Sequence, residues 1–228
     1  MKKYFDNIYC INLDSRTDRW QDCQVEFKQL GLEDNIERFS ACTLKDMPGI
    51  AGCTKSHYEV IKLAKSRGEK NILIFEDDFQ AVRDDLWEVL KIVYDQIEAN
   101  NISFDMLYLG GRIADKNGAS IVDENLLKLS YVKTTHAYII NEQIFDIIIN
   151  FFDSVNWYDH WNWSQSNNDR LNIDLWYIHN IQQKHNVYGI YPAVFQQRTS
   201  YSDIINRDSG ECIWNVNDHW NLSSNIKF

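Results

Sequence analysis

Residues 71–78 have the sequence Asn-Ile-Leu-Ile-Phe-Glu-Asp-Asp, an apolar run that ends in three consecutive acids. A short, continuously apolar segment is typical of a central strand in a parallel sheet, because helices cover both faces of such a sheet. The acids follow the strand at its carboxyl end, which is where open α/β sheets bind their ligands. This stretch therefore predicts the fold class and the place of the functional site together.

Strand and helix signals alternate on both sides of this stretch. Further short strands are predicted over 7–13, 36–42 and 105–109. The helices between them are predicted from the apolar stripe Trp20, Cys23, Phe27 and Leu30, from the run 56–68, and from the run after Asp85. Strands that alternate with helices predict an α/β fold with a doubly wound, mostly parallel, Rossmann-like sheet flanked by helices.

The second half of the chain is less regular. Its predicted elements are a loop and hairpin over 112–133, a strand over 134–140, a helix from Asn141 to Phe152, a helix near 173–184 and a strand near 187–191. A segment rich in tryptophan and asparagine, 157–168, separates the two helices. With 228 residues, we expect one domain over 1–228, divided into a regular half, 1–111, and an irregular half, 112–228.

Charge and cysteine content exclude several classes of protein. Thirty-three acidic residues against 23 Lys and Arg give a net charge of −10, which argues against a nucleic acid or an anionic membrane as partner. Five cysteines without a C-x-x-C pair favour neither a zinc knuckle nor a disulfide scaffold. We see neither a signal peptide nor an apolar run of ~20 residues, and therefore expect a cytoplasmic protein without a transmembrane segment.

The three acids at the strand end predict a cation site. Glu76, Asp77 and Asp78 repel one another beside an apolar core, an arrangement that a bound cation would relieve. Hard divalent cations take oxygen ligands, so Mg²⁺ or Mn²⁺ is the expected occupant. Such an ion would also allow this acidic chain to hold an anionic diphosphate. The alternative is a solvated loop whose acids cap the next helix.

Three sequence blocks together resemble glycosyltransferase family 25, which includes lipooligosaccharide sugar transferases and procollagen galactosyltransferases. The blocks are Ile11-Asn12-Leu13-Asp14 with Arg16 and Arg19, Gly52-Cys53-Thr54-Lys55-Ser56-His57, and the strand end 72–78. Looser matches follow at 105–110, at Thr135, Ala137 and Tyr138, and at Asp174, Pro192, Gln196 and 202–204. The resemblance covers about residues 7–204, and 157–168 has no counterpart in it.

The resemblance implies a GT-A type fold, a UDP-hexose donor, Mn²⁺ or Mg²⁺, and inverting transfer of galactose or glucose to a hydroxyl of a glycan or protein. It implies that 1–111 binds the nucleotide sugar and that 112–228 forms the acceptor side. Asp78 would hold the metal. Glu76 would share the metal or lie near the ribose, and Asp77 would support the turn or touch the sugar.

Five further residues are predicted to contact the donor. Asn12, Asp14 and Arg16 follow the first strand, where Asn12 would bond the base and Arg16 the diphosphate. Ser56 and His57 are predicted to open a helix whose N-terminus attracts an anion, with Ser56 as the capping residue. The alternatives are that Arg16 is a surface residue, that Ser56 is purely structural and that His57 is a packing residue.

The acceptor side is predicted from one acid and three tryptophans. Asp174 is the expected general base, because it is the acid in the second half that the resemblance matches; Asp159 and Asp169 are its rivals by position. Trp161, Trp163 and Trp176 would form a platform for a sugar ring, and the alternative is that they fill the core.

Two other classes of function remain open. One is a non-catalytic sugar- or nucleotide-binding protein of the same fold. The other is a nucleotidyltransferase, although the loop 13–18 lacks the glycines that such enzymes carry after their first strand. A glycosidase with two catalytic carboxylates would need neither a nucleotide nor a metal, and nucleotide binding separates it from the rest.

Overall fold

A computed structural model describes residues 4–113, 117–164 and 171–199, together with the backbone of 201–202 and 207–208. Its strands, in chain order, are β1 (Asn7–Asn12), β2 (Ile36–Ser40), β3 (Asn71–Glu76), β4 (Phe79–Ala81), β5 (Met106–Tyr108), β6 (Arg112–Ile113), β7 (Ala119–Asp123), β8 (Leu126–Leu129), β9 (Val132–Lys133), β10 (Ala137–Asn141), β11 (Val187–Ile190), β12 (Phe195–Gln197), β13 (Tyr201–Ser202) and β14 (Arg207–Asp208).

The centre of the fold is a mixed sheet of eight strands in the order β2-β1-β3-β10-β5-β11-β8-β7. β10 and β8 run opposite to the other six strands. Two-stranded ladders join β4 to β12, β6 to β9, and β13 to β14. The prediction of an α/β fold with a mostly parallel sheet is confirmed.

The apolar run that predicts the fold is buried on both faces of the sheet. β3 lies between β1 and β10, and the side chains of Ile72 to Phe75 are fully buried. Ile72 and Ile74 pack into one core, whereas Leu73 and Phe75 pack into the core on the opposite face. Burial on both faces is the reason that this strand lacks polar alternation.

Helices cover both faces. They are α1 (Thr17–Gln29), α2 (Gly49–Ser66), α3 (Leu86–Ala99), α4 (Phe145–Asp153), α5 (His160–Ser164) and α6 (Ile173–Tyr177), with a π-helix over Ile178–Gln182 and 3₁₀ turns at Glu33–Asn35 and Glu142–Ile144. α2, α4 and α6 contribute to one core, and α1 and α3 to the other. Among the described residues, no helix has the length and apolar composition needed to cross a membrane.

One helix start differs from the sequence prediction. α2 begins at Gly49, seven residues before Ser56, with Pro48 in the N-cap position. Ser56 therefore lies inside the helix, and its predicted role as the capping residue is wrong. α1 begins at Thr17 without a side-chain cap, and Gly31, with φ +65°, follows its end.

The second half follows the predicted order with shorter elements. The hairpin β7–β8 lies inside the predicted loop and hairpin. The strand predicted from residue 134 starts only at Ala137, since Thr134 has φ +71° and cannot continue an extended strand. Asn141 caps the next helical turn by accepting a hydrogen bond from the Gln143 amide at 3.2 Å. Residues 165–168 of the tryptophan-rich segment, and Asp169 after it, lie outside the described residues.

Candidate functional site

A cavity of about 490 Å³ lies at the carboxyl ends of β1 and β3. Its walls come from the end of β1, the loop 41–48, the first turns of α2, the acids after β3, and Gln197 of β12. The cavity therefore lies at the sheet edge where the acids predict a ligand site.

Gly52 allows α2 to approach the loop 41–48. A Cβ atom at position 52 would lie 2.5 Å from the carbonyl oxygen of Cys42, closer than any side chain tolerates. Ser56 strengthens the same contact, because its hydroxyl accepts from the Cys42 amide at 2.8 Å and donates to the Gly52 carbonyl at 2.7 Å. The structure thus gives Ser56 a structural role, and the helix N-terminus that lines the cavity is the one at Pro48 and Gly49.

Asp77 is fixed by two neighbours. Its Oδ1 accepts from Arg19 Nη1 at 2.7 Å, and its Oδ2 accepts from Asn12 Nδ2 at 2.7 Å. The side chain is largely buried, and its backbone carbonyl accepts from the Cys23 thiol at 3.4 Å. Asp77 therefore supports the turn, which is one of the two roles that the resemblance implies for it.

Asn12 is engaged on both sides of its amide. Nδ2 also donates to the Arg16 carbonyl at 3.1 Å, and Oδ1 accepts from Arg38 Nε at 2.8 Å. The residue is only 1% exposed and does not line the cavity, and its contact with a nucleotide base stays a prediction. Asn12 instead ties the strand end to Asp77.

Asp14 and Arg16 lie beside the cavity and are not part of its lining. Asp14 is exposed and accepts from Ser40 Oγ and Arg38 Nη2, both at 2.7 Å; these two bonds lower its pKa. Arg16 forms a two-pronged contact with Asp18, Nε to Oδ1 at 2.9 Å and Nη2 to Oδ2 at 2.8 Å. Arg19, from the same sequence block, is the arginine that lines the cavity, and the block alone does not distinguish the two.

Glu76 faces α2. Its Oε1 accepts from Thr135 Oγ1 at 2.6 Å and lies 3.4 Å from His57 Nε2. The other ring nitrogen of His57, Nδ1, lies 2.8 Å from the Tyr138 hydroxyl, and the imidazole is fully buried. Burial opposes the charge of Glu76, but the contacts with His57 and Thr135 outweigh it, so that its pKa is lowered. His57 reaches the cavity wall from inside α2 rather than from a helix start.

Asp78 combines charge, burial and an unused oxygen. Its Oδ2 accepts from Gln197 Nε2 at 2.8 Å, whereas Oδ1 is buried without a hydrogen-bond partner. Burial first, and the negative charge of Glu76 second, raise the pKa of Asp78 to about 7. A partly buried carboxylate that has one buried, free oxygen and lies beside a second carboxylate is a donor set that suits a hard divalent cation. The residues present therefore fit the predicted Mn²⁺ or Mg²⁺.

Asp174 lies in the first turn of α6, outside the cavity lining. Its Oδ1 accepts from the Leu175 amide at 2.7 Å and its Oδ2 from the Thr134 amide at 3.4 Å. Burial, with a contribution from Glu76, raises its pKa. Its rival Asp159 accepts from the Asn162 amide at 3.3 Å at the start of α5.

The three predicted platform tryptophans separate into two groups. Trp163 and Trp176 are 1% exposed; Trp163 stacks on Trp157 at 5.7 Å between ring centroids, and Trp176 lies 4.8 Å from Phe151. Both rings pack in the interior, as the core alternative predicts, and their role in acceptor binding stays a prediction. Trp161 is 72% exposed, and it keeps the predicted role as a proposal.

The chain is similar in sequence to part of a curated glycosyltransferase-family protein. The chain is 26% identical over 95 residues to a Bos taurus protein named "Probable inactive glycosyltransferase 25 family member 3". The match covers 41% of this chain and 16% of that protein, so the chain spans a small part of that relative's length. No family model matches the chain.

Comparison with solved structures gives weak likenesses. Protein A197 from STIV aligns with a TM-score of 0.45 and 7% identity over 88% of this chain and 91% of its own. A glycosyltransferase involved in the glycosylation of the major capsid of PBCV-1 gives 0.41 and 12% over 68% and 69%. A UDP-glucose pyrophosphorylase complexed with UDP-glucose gives 0.42 and 12% over 84% and 74%. Likenesses at this level transfer neither activity nor substrate to this chain.

Proposed function

We propose that this chain is a metal-dependent glycosyltransferase of GT-A type. It would move galactose or glucose from a UDP-hexose to a hydroxyl of a glycan or protein, with inversion. The observation that carries the proposal is Asp78, whose Oδ1 is buried without a partner and whose pKa is raised. A bound cation would stabilise the charge of this carboxylate, which lies at the sheet edge where a nucleotide sugar would bind.

The donor would lie in the cavity with its diphosphate against Asp78. Without a cation, the diphosphate would meet the like charges of Glu76 and Asp78, which opposes binding. Asp78 would hold Mn²⁺ or Mg²⁺, with Glu76 as its neighbour in the site. Arg19 and the N-terminus of α2 at Gly49 line the same cavity and add positive potential toward an anion.

An inverting transfer needs a base on the acceptor side. Asp174 would accept the proton of the acceptor hydroxyl as that oxygen attacks the anomeric carbon from the face opposite the diphosphate. Burial raises the pKa of Asp174, which moves it toward the neutral range in which a carboxylate base works best. The metal, when bound, supplies charge neutralisation to the leaving diphosphate.

A second candidate is a non-catalytic protein that binds a nucleotide sugar. The name of the bovine relative, "Probable inactive", is the observation that favours it. Both candidates require UDP and metal to bind together; only the enzyme also releases UDP from the sugar.

Titration calorimetry with UDP, ADP and GDP, each with Mn²⁺ and with excess chelator, tests the shared part of the proposal. We expect UDP to bind most tightly, and only with Mn²⁺. Asp78→Asn should abolish this binding, whereas Asp95→Asn, the same change at an exposed ion pair on α3, should leave it intact. Equal binding of all three nucleotides, or binding that ignores the chelator, contradicts the proposal.

A further inference from the structure

Cys53, His57 and Glu76 all line the cavity and lie close to one another, and Asp78 does not belong to this group. The Cys53 sulfur, a ring nitrogen of His57 and a carboxylate oxygen of Glu76 lie within 4.8 Å of one another. Cys53 and His57 are four residues apart on α2, which places their side chains on one face of the helix. Glu76 reaches the same point from the end of β3.

We propose that these three residues bind one Zn²⁺ ion, at a position that differs from the cation position at Asp78 but shares Glu76 with it. One sulfur, one nitrogen and one carboxylate oxygen form a donor set that favours zinc over Mg²⁺ and Mn²⁺. Three protein ligands leave a fourth position open toward the cavity, where water or a substrate atom would bind.

The distances match tetrahedral coordination. With Zn–N and Zn–O bonds of ~2.0–2.2 Å, ligand nitrogen and oxygen atoms lie roughly 3.3–3.5 Å apart. His57 Nε2 and Glu76 Oε1 are 3.4 Å apart. Since the three ligand atoms lie within 4.8 Å of one another, the Cys53 sulfur has to approach by at most about 1.2 Å to reach the ~3.6 Å separation of sulfur and nitrogen ligands.

The surroundings of His57 prepare Nε2 as a ligand. The imidazole of His57 is fully buried, and its Nε2 has no hydrogen-bond partner. With the proton on Nδ1, the ring donates to the Tyr138 hydroxyl at 2.8 Å, and that hydroxyl lies 3.2 Å from the Tyr177 hydroxyl. A fixed partner on the far nitrogen orients the ring and keeps the near lone pair free, as metal-binding histidines require.

Thr135 serves the carboxylate in the same way. Its hydroxyl donates to Glu76 Oε1 at 2.6 Å and so holds the Glu76 side chain toward α2. Hydrogen bonds to a ligating carboxylate are the usual support of a metal site. Tyr138 thus positions His57, and Thr135 positions Glu76, while neither Tyr138 nor Thr135 is itself a proposed ligand.

The test uses the full chain, stripped with chelator and titrated with Zn²⁺ against a chromogenic chelator in excess Mg²⁺. We expect one tight site per chain, weakened by about tenfold or more in Cys53→Ser and in Glu76→Gln. Three matched variants should bind as the wild type does: Cys42→Ser, a cavity cysteine outside the group; Cys212→Ser, outside the described residues; and Asp78→Asn, which alters only the other site.

Co²⁺ gives a second readout that depends on sulfur ligation. The Co²⁺-loaded wild type should show a thiolate-to-cobalt charge-transfer band, and Cys53→Ser should lack it. Circular dichroism without metal shows whether each variant is folded. If a variant is unfolded, the presence or absence of the charge-transfer band in the Co²⁺-loaded wild type still tests the proposal. Absence of the band in the wild type, or unchanged zinc affinity in folded Cys53→Ser, would overturn the proposal. Because Asp78→Asn should lose UDP binding and keep zinc, failure here is distinguishable from failure of the proposed function.

Discussion

Arg19 and Asp77 form an ion pair, Nη1 to Oδ1 at 2.7 Å, in which the side chains are only 12% and 10% exposed. Because of this ion pair, the adjacent acids Asp77 and Asp78 have different environments. Asp77 is neutralised by its partner and holds the turn after β3. Asp78, the next residue, lacks such a partner on Oδ1, and its pKa is raised to about 7, chiefly by burial. In the sequence the two residues are simply adjacent aspartates, whereas in the structure Asp77 supports the turn and Asp78 is a candidate metal ligand.

Asp78→Asn should stabilise the metal-free protein while abolishing Mn²⁺-dependent UDP binding. The folded-state pKa of about 7 lies above the unfolded value of ~3.9, so the folded state binds more protons between these values and loses stability as the pH rises through them. The asparagine removes that loss, which is worth up to roughly 4 kcal/mol above pH 7.

Melting temperatures in chelator at pH 4 and pH 8 check this prediction. The variant and the wild type should melt alike at pH 4, and the variant should melt higher at pH 8. A variant that melts lower than the wild type at pH 8 would show that Asp78 is a structural residue.

Asp77→Asn should destabilise the protein. The change removes the negative charge that lies 2.7 Å from Nη1 of the largely buried Arg19, and breaking such a pair costs up to ~3–5 kcal/mol when it is fully buried. We expect a smaller loss, about 1–3 kcal/mol, since both groups retain some contact with solvent. Chemical denaturation measures the loss. UDP affinity in the fraction that remains folded should change less than in Asp78→Asn, and the reverse order would give Asp77 the ligand role.

Trp163→Ala should cost ~3–5 kcal/mol of stability and lower every activity together, because the indole is a core residue. Trp161→Ala is its matched control on the same helix, α5, and should leave the melting temperature nearly unchanged, since that ring is 72% exposed. If Trp161 binds the acceptor, its removal should raise the acceptor KM and spare UDP release in the absence of acceptor. An unchanged KM would remove Trp161 from the acceptor site.

Asp174→Asn should reduce transfer to the acceptor by ~10²–10⁴-fold if this residue is the general base. UDP affinity should barely change, because the base meets the acceptor hydroxyl and not the diphosphate. Initial rates with saturating donor, beside UDP calorimetry, separate the two effects. A wild-type rate would end its candidacy and shift attention to Asp159 and to Asp169.

The centre of the fold was predictable because one physical rule governs it. A strand buried on both faces must be apolar throughout, and residues 72–75 satisfy this rule in four consecutive letters. The place of the acids that follow was equally predictable, since such a cluster meets solvent and ligand at the sheet edge. The place of the cavity was therefore predictable as well.

The individual roles at the site were not predictable, because they depend on contacts between residues distant in sequence. Ser56 has the spacing of a helix cap, yet α2 begins seven residues earlier and Gly52 lies close to Cys42. Ser56 instead links α2 to the loop 41–48 by accepting a hydrogen bond from the Cys42 amide. Arg16 and Arg19 have equal chemistry, and only the direction of α1 brings Arg19 to Asp77. Partners such as Gln197 carry no local signal at all.

UDP release from a panel of nucleotide sugars, measured with Mn²⁺ and with excess chelator, tests the central claim most directly. We expect release from UDP-galactose or UDP-glucose with Mn²⁺, restoration by Mn²⁺ better than by Ca²⁺ after chelation, and no release by Asp78→Asn. Undiminished release in excess chelator would contradict the metal's role. Tight binding of UDP and Mn²⁺ without release, in the presence of glycan and protein acceptors, would contradict the enzyme and favour the non-catalytic candidate.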